Sequence, residues 1–141
     1  MNTREILILA ACLTLAGPLA AEEKAMDKSI DLVSGPPEQC IPLVRIDHAE
    51  IIDDQNIAFH MKNGDIYRNH MPNACPGLRP HDTYMYRTSL NQLCNVDIIT
   101  QLDQIGFGFS PGASCGLGMF YPVTKDDVAK LKERVEARGK Q

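Results

Sequence analysis

The dipeptide Asn63-Gly64 constrains the fold most, because it separates two segments in which apolar and polar residues alternate. Asn and Gly both tolerate the positive φ that a type I′ turn requires, so the pattern predicts a β-hairpin over residues 51–70 with a two-residue turn. That turn would place His60 opposite Tyr67. One face of the hairpin would then be apolar and must be covered by another element. The apolar residues on that face would be Ile57, Phe59, Met61 and Ile66.

The same register places Arg68 on the apolar face, where a charged side chain needs a partner. We therefore expect Arg68 either to form a buried ion pair, with Asp97 or Asp103 as candidate partners, or to lie at the rim and bind a ligand. The register also turns His60 and His70 to opposite faces. These two imidazoles should therefore not share a metal ion.

Residues 1–21 are typical of a secretory signal peptide, with a short polar start, an apolar run and small residues before the acidic Glu22. The apolar run is shorter than the roughly 20 residues that a transmembrane helix needs. The sequence Leu9-Ala10-Ala11-Cys12 is similar to a bacterial lipobox, so lipidation at Cys12 is an alternative to cleavage after Ala21. We predict an exported protein, periplasmic or secreted, and a lipid-anchored envelope protein as the alternative. Membrane contact is expected only for the lipidated form.

The rest of the chain is long enough for one domain. Residues 22–39 are polar and contain Gly35-Pro36-Pro37 near their end, so we predict a flexible leader there and a single domain over residues 40–138. The formal net charge is −4, and the Lys and Arg residues are scattered among acidic ones. A nucleic-acid partner is not expected, because nucleic-acid binders carry a basic face.

Four cysteines, Cys40, Cys75, Cys94 and Cys115, fall within the predicted domain. In an exported chain an even number of well-separated cysteines predicts two disulfides. Zinc is disfavoured, because no two of the cysteines form a Cys-x-x-Cys pair. Three pairings are possible. We favour Cys40 with Cys115 and Cys75 with Cys94, because the first bond would join the start of the domain to its last strand.

The remaining pattern predicts further strands and one helix. The additional strands share alternating or β-branched residues and are expected at residues 40–46, 49–52, 84–88, 93–102 and 117–121. A glycine-rich loop is expected at 106–112. Thr124 and Asp127 form a capping-box pattern at the start of a helix over residues 125–137. We therefore predict a mainly β (α+β) fold, a small antiparallel bent sheet or barrel with one C-terminal helix, held by two disulfides.

The segment Gly112-Ala113-Ser114-Cys115-Gly116 matches the G-x-S-x-G nucleophile elbow, but a predicted strand follows it where the elbow requires a helix. We therefore predict no catalytic residue, although a small hydrolase or transferase that uses Ser114 or a His remains an alternative. The four His residues form no ligand pair at helical or strand spacing, so we predict no metal site and no cofactor. A metal-binding protein is the third alternative.

Several short motifs are shared with one group of proteins. They are Cys40-Ile41-Pro42, Tyr67-Arg68-Asn69, Cys75-Pro76-Gly77-Leu78, Tyr86-Arg87-Thr88-Ser89, Leu93-Cys94 and Ser114-Cys115-Gly116-Leu117-Gly118. From Cys40 to Thr124 the chain resembles a family of small exported proteobacterial proteins of unknown function. The resemblance implies export and a four-cysteine framework, and it supplies no activity or catalytic residue. We therefore expect a non-enzymatic binding or structural module of the envelope, with an unidentified envelope protein or ligand as its partner.

Overall fold

The structure is a computed structural model that describes residues 32–78, 83–88 and 90–140. The predicted signal peptide and Cys12 lie outside the described residues. Within them the chain forms a short 3₁₀ turn at Leu43–Arg45, nine strands and one α-helix, α1 (Lys125–Arg138). The strands are β1 (Cys40–Pro42), β2 (Ile46–Ile51), β3 (Asn56–Met61), β4 (Ile66–His70), β5 (Tyr84–Arg87), β6 (Gln92–Cys94), β7 (Ile98–Ile105), β8 (Gly108–Gly116) and β9 (Phe120–Val123).

The strands form three antiparallel sheets, in the orders β2-β3-β4-β9, β5-β7-β8 and β1-β6. The mainly β class with one C-terminal helix and two disulfides is confirmed. The sheets are not closed into a barrel. Sheet edges therefore remain, and each must be protected or paired.

The hairpin of β3 and β4 is present, but its turn has three residues. The Met61 N–H donates to the Asp65 carbonyl at 2.8 Å, and the Gly64 N–H donates to the Met61 carbonyl at 2.9 Å. Gly64 has a φ of 92°, as expected where a type I turn is followed by a residue in the left-handed region. His60 therefore pairs with Ile66, and the predicted two-residue turn is wrong by one residue.

The one-residue change alters which side chains of β4 share a face with those of β3. Both faces of the hairpin are buried. One face packs in a core that contains Ile57, Phe59, Met61, Ile41, Leu93, Ile99 and Phe120. The other packs under α1 in a second core that contains Ala58, Ile66, Val123, Val128, Leu131 and Val135. The hairpin is thus the central layer of the molecule.

Helix α1 begins at the predicted capping box. The Asp127 N–H donates to the Thr124 hydroxyl at 3.2 Å, and the Thr124 N–H donates to the Asp127 carboxylate at 2.9 Å. These bonds satisfy two backbone groups at the helix start. The helix buries Val128, Leu131 and Val135, which lie at helical spacing on one face.

The segment after β5 differs from the prediction. Strand β5 pairs with β7, and the intervening β6 pairs with β1. The glycine-rich segment predicted as a loop forms most of β8, which pairs with β7. Glycine weakens a strand but does not forbid one, and here the neighbouring strand β7 provides the hydrogen-bonding ladder. The last strand begins at Phe120, three residues later than predicted.

The disulfides are Cys40–Cys94 and Cys75–Cys115, so the favoured pairing of Cys40 with Cys115 and Cys75 with Cys94 is wrong. The pairing of β1 with β6 places Cys40 directly opposite Cys94, with Cα atoms 4.0 Å apart. This sheet pairing was not foreseen. The bonds close segments of 54 and 40 residues, which corresponds to about 4 kcal/mol each on the loop-entropy model.

Residues 32–39, predicted as the end of a flexible leader, lie along β9. The Ser34 N–H donates to the Pro122 carbonyl, and Glu38 exchanges backbone hydrogen bonds with Phe120. Leu32 packs against the core under α1. This segment therefore covers the outer edge of β9.

Candidate functional site

Strands β7 and β8 form a long hairpin whose tip is apolar. The tight turn at its tip places Gly106 in the left-handed region, with a φ of 59°. The side chain of Phe107 is fully exposed, and those of Ile105 and Phe109 are exposed by 66% and 62%. We call these three residues the apolar tip. The register places Ile105 and Phe109 on opposite faces of the hairpin, with Phe107 in the turn between them. Exposed apolar side chains grouped at one site commonly mark a contact with a partner.

The base of the same hairpin also exposes apolar side chains. Val96 is exposed by 81%, and Ile98, at the first position of β7, by 55%. Ile98 pairs with Gly116. A Cβ atom added to Gly116 would have no other atom within 4 Å, so the surface beside this glycine is open. We call Val96 and Ile98 the apolar base. No charged residue occurs anywhere from 104 to 124.

The inner face of the hairpin is anchored, so the tip projects from a fixed support. Ile99 is fully buried, and its cross-strand neighbour Cys115 is bonded to the buried Cys75. Tyr84 on the neighbouring β5 packs against the same core, and burial raises the pKa of Tyr84 above its usual range. The outer face therefore stays exposed while the inner face is held by the core.

The backbone of β8 presents an open edge. The Leu117 N–H donates to the Asp97 carbonyl at 3.0 Å. Because hydrogen-bonded and non-hydrogen-bonded pairs alternate in an antiparallel ladder, Cys115 faces β7, whereas the N–H and C=O groups of Ser114 and Gly116 point outward. The same alternation from the tip turns the backbone of Phe109 outward. In the part of the chain that the structure describes, no strand pairs with this edge.

Other sheet edges are protected in ways that are common in natural proteins. Strand β2 has a bulge and carries Asp47 and Glu50, and β9 is covered by Glu38. Strand β5 has four residues and ends in Arg87. Strand β8 shares part of this protection, since its pairing with β7 has a register shift between Ser114 and Pro111, and Pro111 has no N–H to donate. It differs from the other edge strands in having nine residues and no charge.

Ser114 does not stand on a nucleophile elbow. It lies within β8, is exposed, and its hydroxyl is 2.9 Å from the Thr100 hydroxyl on β7. An elbow requires a sharp turn from a strand into a helix, and this segment is an extended strand. The local geometry therefore gives Ser114 no activating base among the described residues.

His60 lies in a polar cluster on the surface near α1. Its ring stacks on His48, the residue opposite in β2, with ring centroids 4.3 Å apart. Asp47 is 2.8 Å from the His48 Nδ1, and the Glu50 carboxylate lies 3.5 Å from the His60 Nε2 and forms an ion pair with Lys132. Partial burial alone would raise the pKa of Glu50, but Lys132 and His60 together hold it below its usual value.

The prediction that His60 and His70 point to opposite faces is wrong. The observed register puts both on the face toward α1, at opposite ends of the hairpin, and His70 is 3.0 Å from the Asn56 side chain. The expected contact of His60 with Tyr67 is also absent, since Tyr67 donates to Glu38. Among the described residues, no three His, Cys, Asp or Glu side chains are arranged to hold a metal ion.

Arg68 is buried on the face toward α1 and therefore does not lie at the rim. Its side chain lines a small gap together with Val128 and Leu131, and its guanidinium is 5.6 Å from the centre of the Tyr121 ring. The two predicted partners make other contacts in the part of the molecule that packs on the opposite face. Asp97 accepts a hydrogen bond from the Cys94 N–H, and Asp103 accepts one from the Gln101 side chain. The three-residue turn is the reason for this difference.

A polar groove of about 430 Å³ lies between the Gly64-Asp65 turn and the start of α1. Its polar groups bond one another. Tyr67 donates to Glu38 at 3.0 Å, and the Thr124 hydroxyl belongs to the helix cap. The groove thus offers fewer free contacts than the hairpin of β7 and β8.

The sequence did not predict the apolar tip, because the glycines between residues 106 and 112 favour a loop over a strand. The absence of charge from residue 104 to residue 124 was the available signal.

No protein-family model, curated protein or solved structure matches the chain. No helix among the described residues is both long and apolar enough to cross a membrane.

Proposed function

We propose that this protein is an exported, non-enzymatic module of the cell envelope that contacts another protein through the hairpin of β7 and β8. The observation that carries the proposal is the exposure of Ile105, Phe107 and Phe109 on a hairpin whose inner face is fixed to the core. Aromatic side chains are enriched at the centres of protein interfaces, where a few of them provide most of the binding energy.

Export is supported by the two disulfides, which form and persist in oxidising compartments outside the cytoplasm. The signal-peptide pattern and the resemblance to small exported proteins agree with this location. One of the two disulfides, Cys75–Cys115, also fixes β8 to the core. The oxidising compartment would therefore also stabilise the contact surface.

A protein partner is favoured over a lipid surface by charge. Peripheral proteins that bind anionic membranes through an apolar segment usually add Lys or Arg beside it. Here the tip lies within 21 uncharged residues, 104–124, on a chain with a net charge of −4. Affinity would have to come from apolar contact alone, which suits an apolar surface on another protein.

Site-specific photo-cross-linking tests the proposal in cells that produce the full chain. A photoreactive residue replaces Phe107, or replaces Val44 as a control, because Val44 is exposed by 68% outside the hairpin. We expect protein adducts from position 107, their loss when Phe109→Ser is added, and none from position 44. Lipid adducts alone, or equal protein adducts from both positions, would overturn the proposal.

A further inference from the structure

We propose that the protein bound at this hairpin is a second copy of the same chain, paired antiparallel through β8. This inference rests on the proposed function, because it names the partner of the same surface. The pairing would join two three-stranded sheets into one sheet with the order β5-β7-β8-β8-β7-β5. A two-fold axis would cross β8 near its centre, as in the isologous interfaces of most soluble dimers.

The two ends of the hairpin complement each other across this axis. In an antiparallel pair, the start of one β8 lies beside the end of the other. The apolar tip of one copy therefore reaches the apolar base of the second copy, where Ile98 borders Gly116. Phe109 of one copy would lie beside Gly116 and Ile98 of the other on one face of the joined sheet, and this contact would occur twice.

The outward backbone groups match in the same arrangement. Pairing Phe109 with Gly116 of the second copy, and Pro111 with Ser114 of the second copy, places outward groups opposite outward groups. Because Pro111 has no N–H, each copy of β8 lacks one of the backbone donors that could form hydrogen bonds between the two copies. Gly116 has open space beside it, so the Phe109 ring of the other copy can pack over the glycine, a cross-strand combination that stabilises sheets.

The absence of charge from β8 permits a second copy as the occupant. Two chains with a net charge of −4 repel each other over most of their surfaces. Like charges opposite one another destabilise a strand pair, but β8 and the apolar tip contain none. This hairpin therefore offers two copies a contact that is free of like-charge repulsion.

Sedimentation equilibrium of the purified protein, with its disulfides intact, tests the inference from low to high micromolar concentration. We expect the mass to rise from that of one chain toward that of two. Phe107→Ser removes a tip side chain, and Gly116→Pro removes an outward N–H that the single chain does not use. Each should weaken association at least tenfold, or about 1.4 kcal/mol. The control Val44→Ser changes an exposed residue outside the hairpin and should leave association unchanged.

A further variant, Ser114→Lys, changes an exposed residue and adds like charges near the axis, so it tests the pairing even if Gly116→Pro does not fold. We expect Ser114→Lys to be monomeric. A single-chain mass at all concentrations, or association that neither edge variant weakens, would overturn the inference. If cross-links from position 107 then reach a different protein, the proposed function stands while the second copy is refuted. If position 107 gives no protein adduct, both fail.

Discussion

At the scale of single residues, Gly118 has the least room for change. Asn69 is fully buried, and its side chain donates to the Gly118 carbonyl at 2.6 Å and accepts from the Gly118 N–H at 2.9 Å. These bonds hold the segment before β9 against β4. A Cβ atom on Gly118 would overlap the carbonyl oxygen of His70, which is backbone and cannot move independently.

We therefore expect Gly118→Ala to lower the free energy of unfolding by about 3 kcal/mol, because the β4 backbone must shift and the Asn69 bonds must stretch. Gly116→Ala is the matched control. A Cβ there meets no atom within 4 Å, so we expect a change within about 0.5 kcal/mol. Urea unfolding of both variants measures the difference. Equal stabilities would show that β4 and the Gly118 segment are not packed this closely.

At the scale of elements, the capping box of α1 gives a pH-dependent expectation. The Thr124 hydroxyl and backbone N–H donate to the Asp127 carboxylate, and these bonds hold the pKa of Asp127 below its usual value. A carboxyl whose folded-state pKa is depressed adds stability above its unfolded pKa of about 3.9. That stability is lost as the pH falls through the folded-state pKa.

We expect Asp127→Ala to cost about 1 kcal/mol at neutral pH and to cost progressively less as the pH falls below about 4. Asp126→Ala, in the same helical turn but outside the box, should cost a few tenths of a kcal/mol through the helix dipole alone. Unfolding curves at several pH values provide the comparison. A cost for Asp127→Ala that stays constant from neutral to acid pH would contradict the capping geometry.

The elements that could be predicted from the sequence are those defined by nearby residues. The cap of α1 lies within residues 124–127, and the predicted helix over 125–137 ends one residue before the observed one. Asn63-Gly64 indicated a hairpin, but this dipeptide suits both a two-residue turn and a type I turn with glycine in the left-handed region. Choosing between them requires the packing of both faces, and the faces predicted for Arg68 and His70 depended on that choice.

Distant pairing explains the remaining differences. Strand β8 contains three glycines and becomes a strand because β7 lies beside it, which local propensity cannot indicate. The bond between Cys40 and Cys94 depends on β1 meeting β6 across more than 50 residues. The apolar tip was missed for the same reason, since a tip exists only when both strands exist.

At the scale of the whole molecule, the two disulfides differ in exposure. Cys40, Cys94 and Cys115 are partly exposed, whereas Cys75 is fully buried, so only the Cys75–Cys115 bond has a buried partner. Thiol exchange requires access to a sulfur atom, so we expect a limiting amount of reductant to open Cys40–Cys94 first. Alkylation followed by peptide mass mapping would then label Cys40 and Cys94 before Cys75 and Cys115. Simultaneous labelling of all four, or bonds joining Cys40 to Cys115, would contradict this arrangement.

The proposed pairing of two copies depends on the outer edge of β8, and amide hydrogen exchange measures that edge residue by residue. Exchange followed by NMR at low and high protein concentration tests the central claim. The Cys115 N–H faces β7 and should be protected at both concentrations. The outward N–H groups of Phe109, Ser114 and Gly116 should exchange rapidly in dilute protein and become protected in concentrated protein. Outward amides that exchange at the same rate at both concentrations would contradict the account.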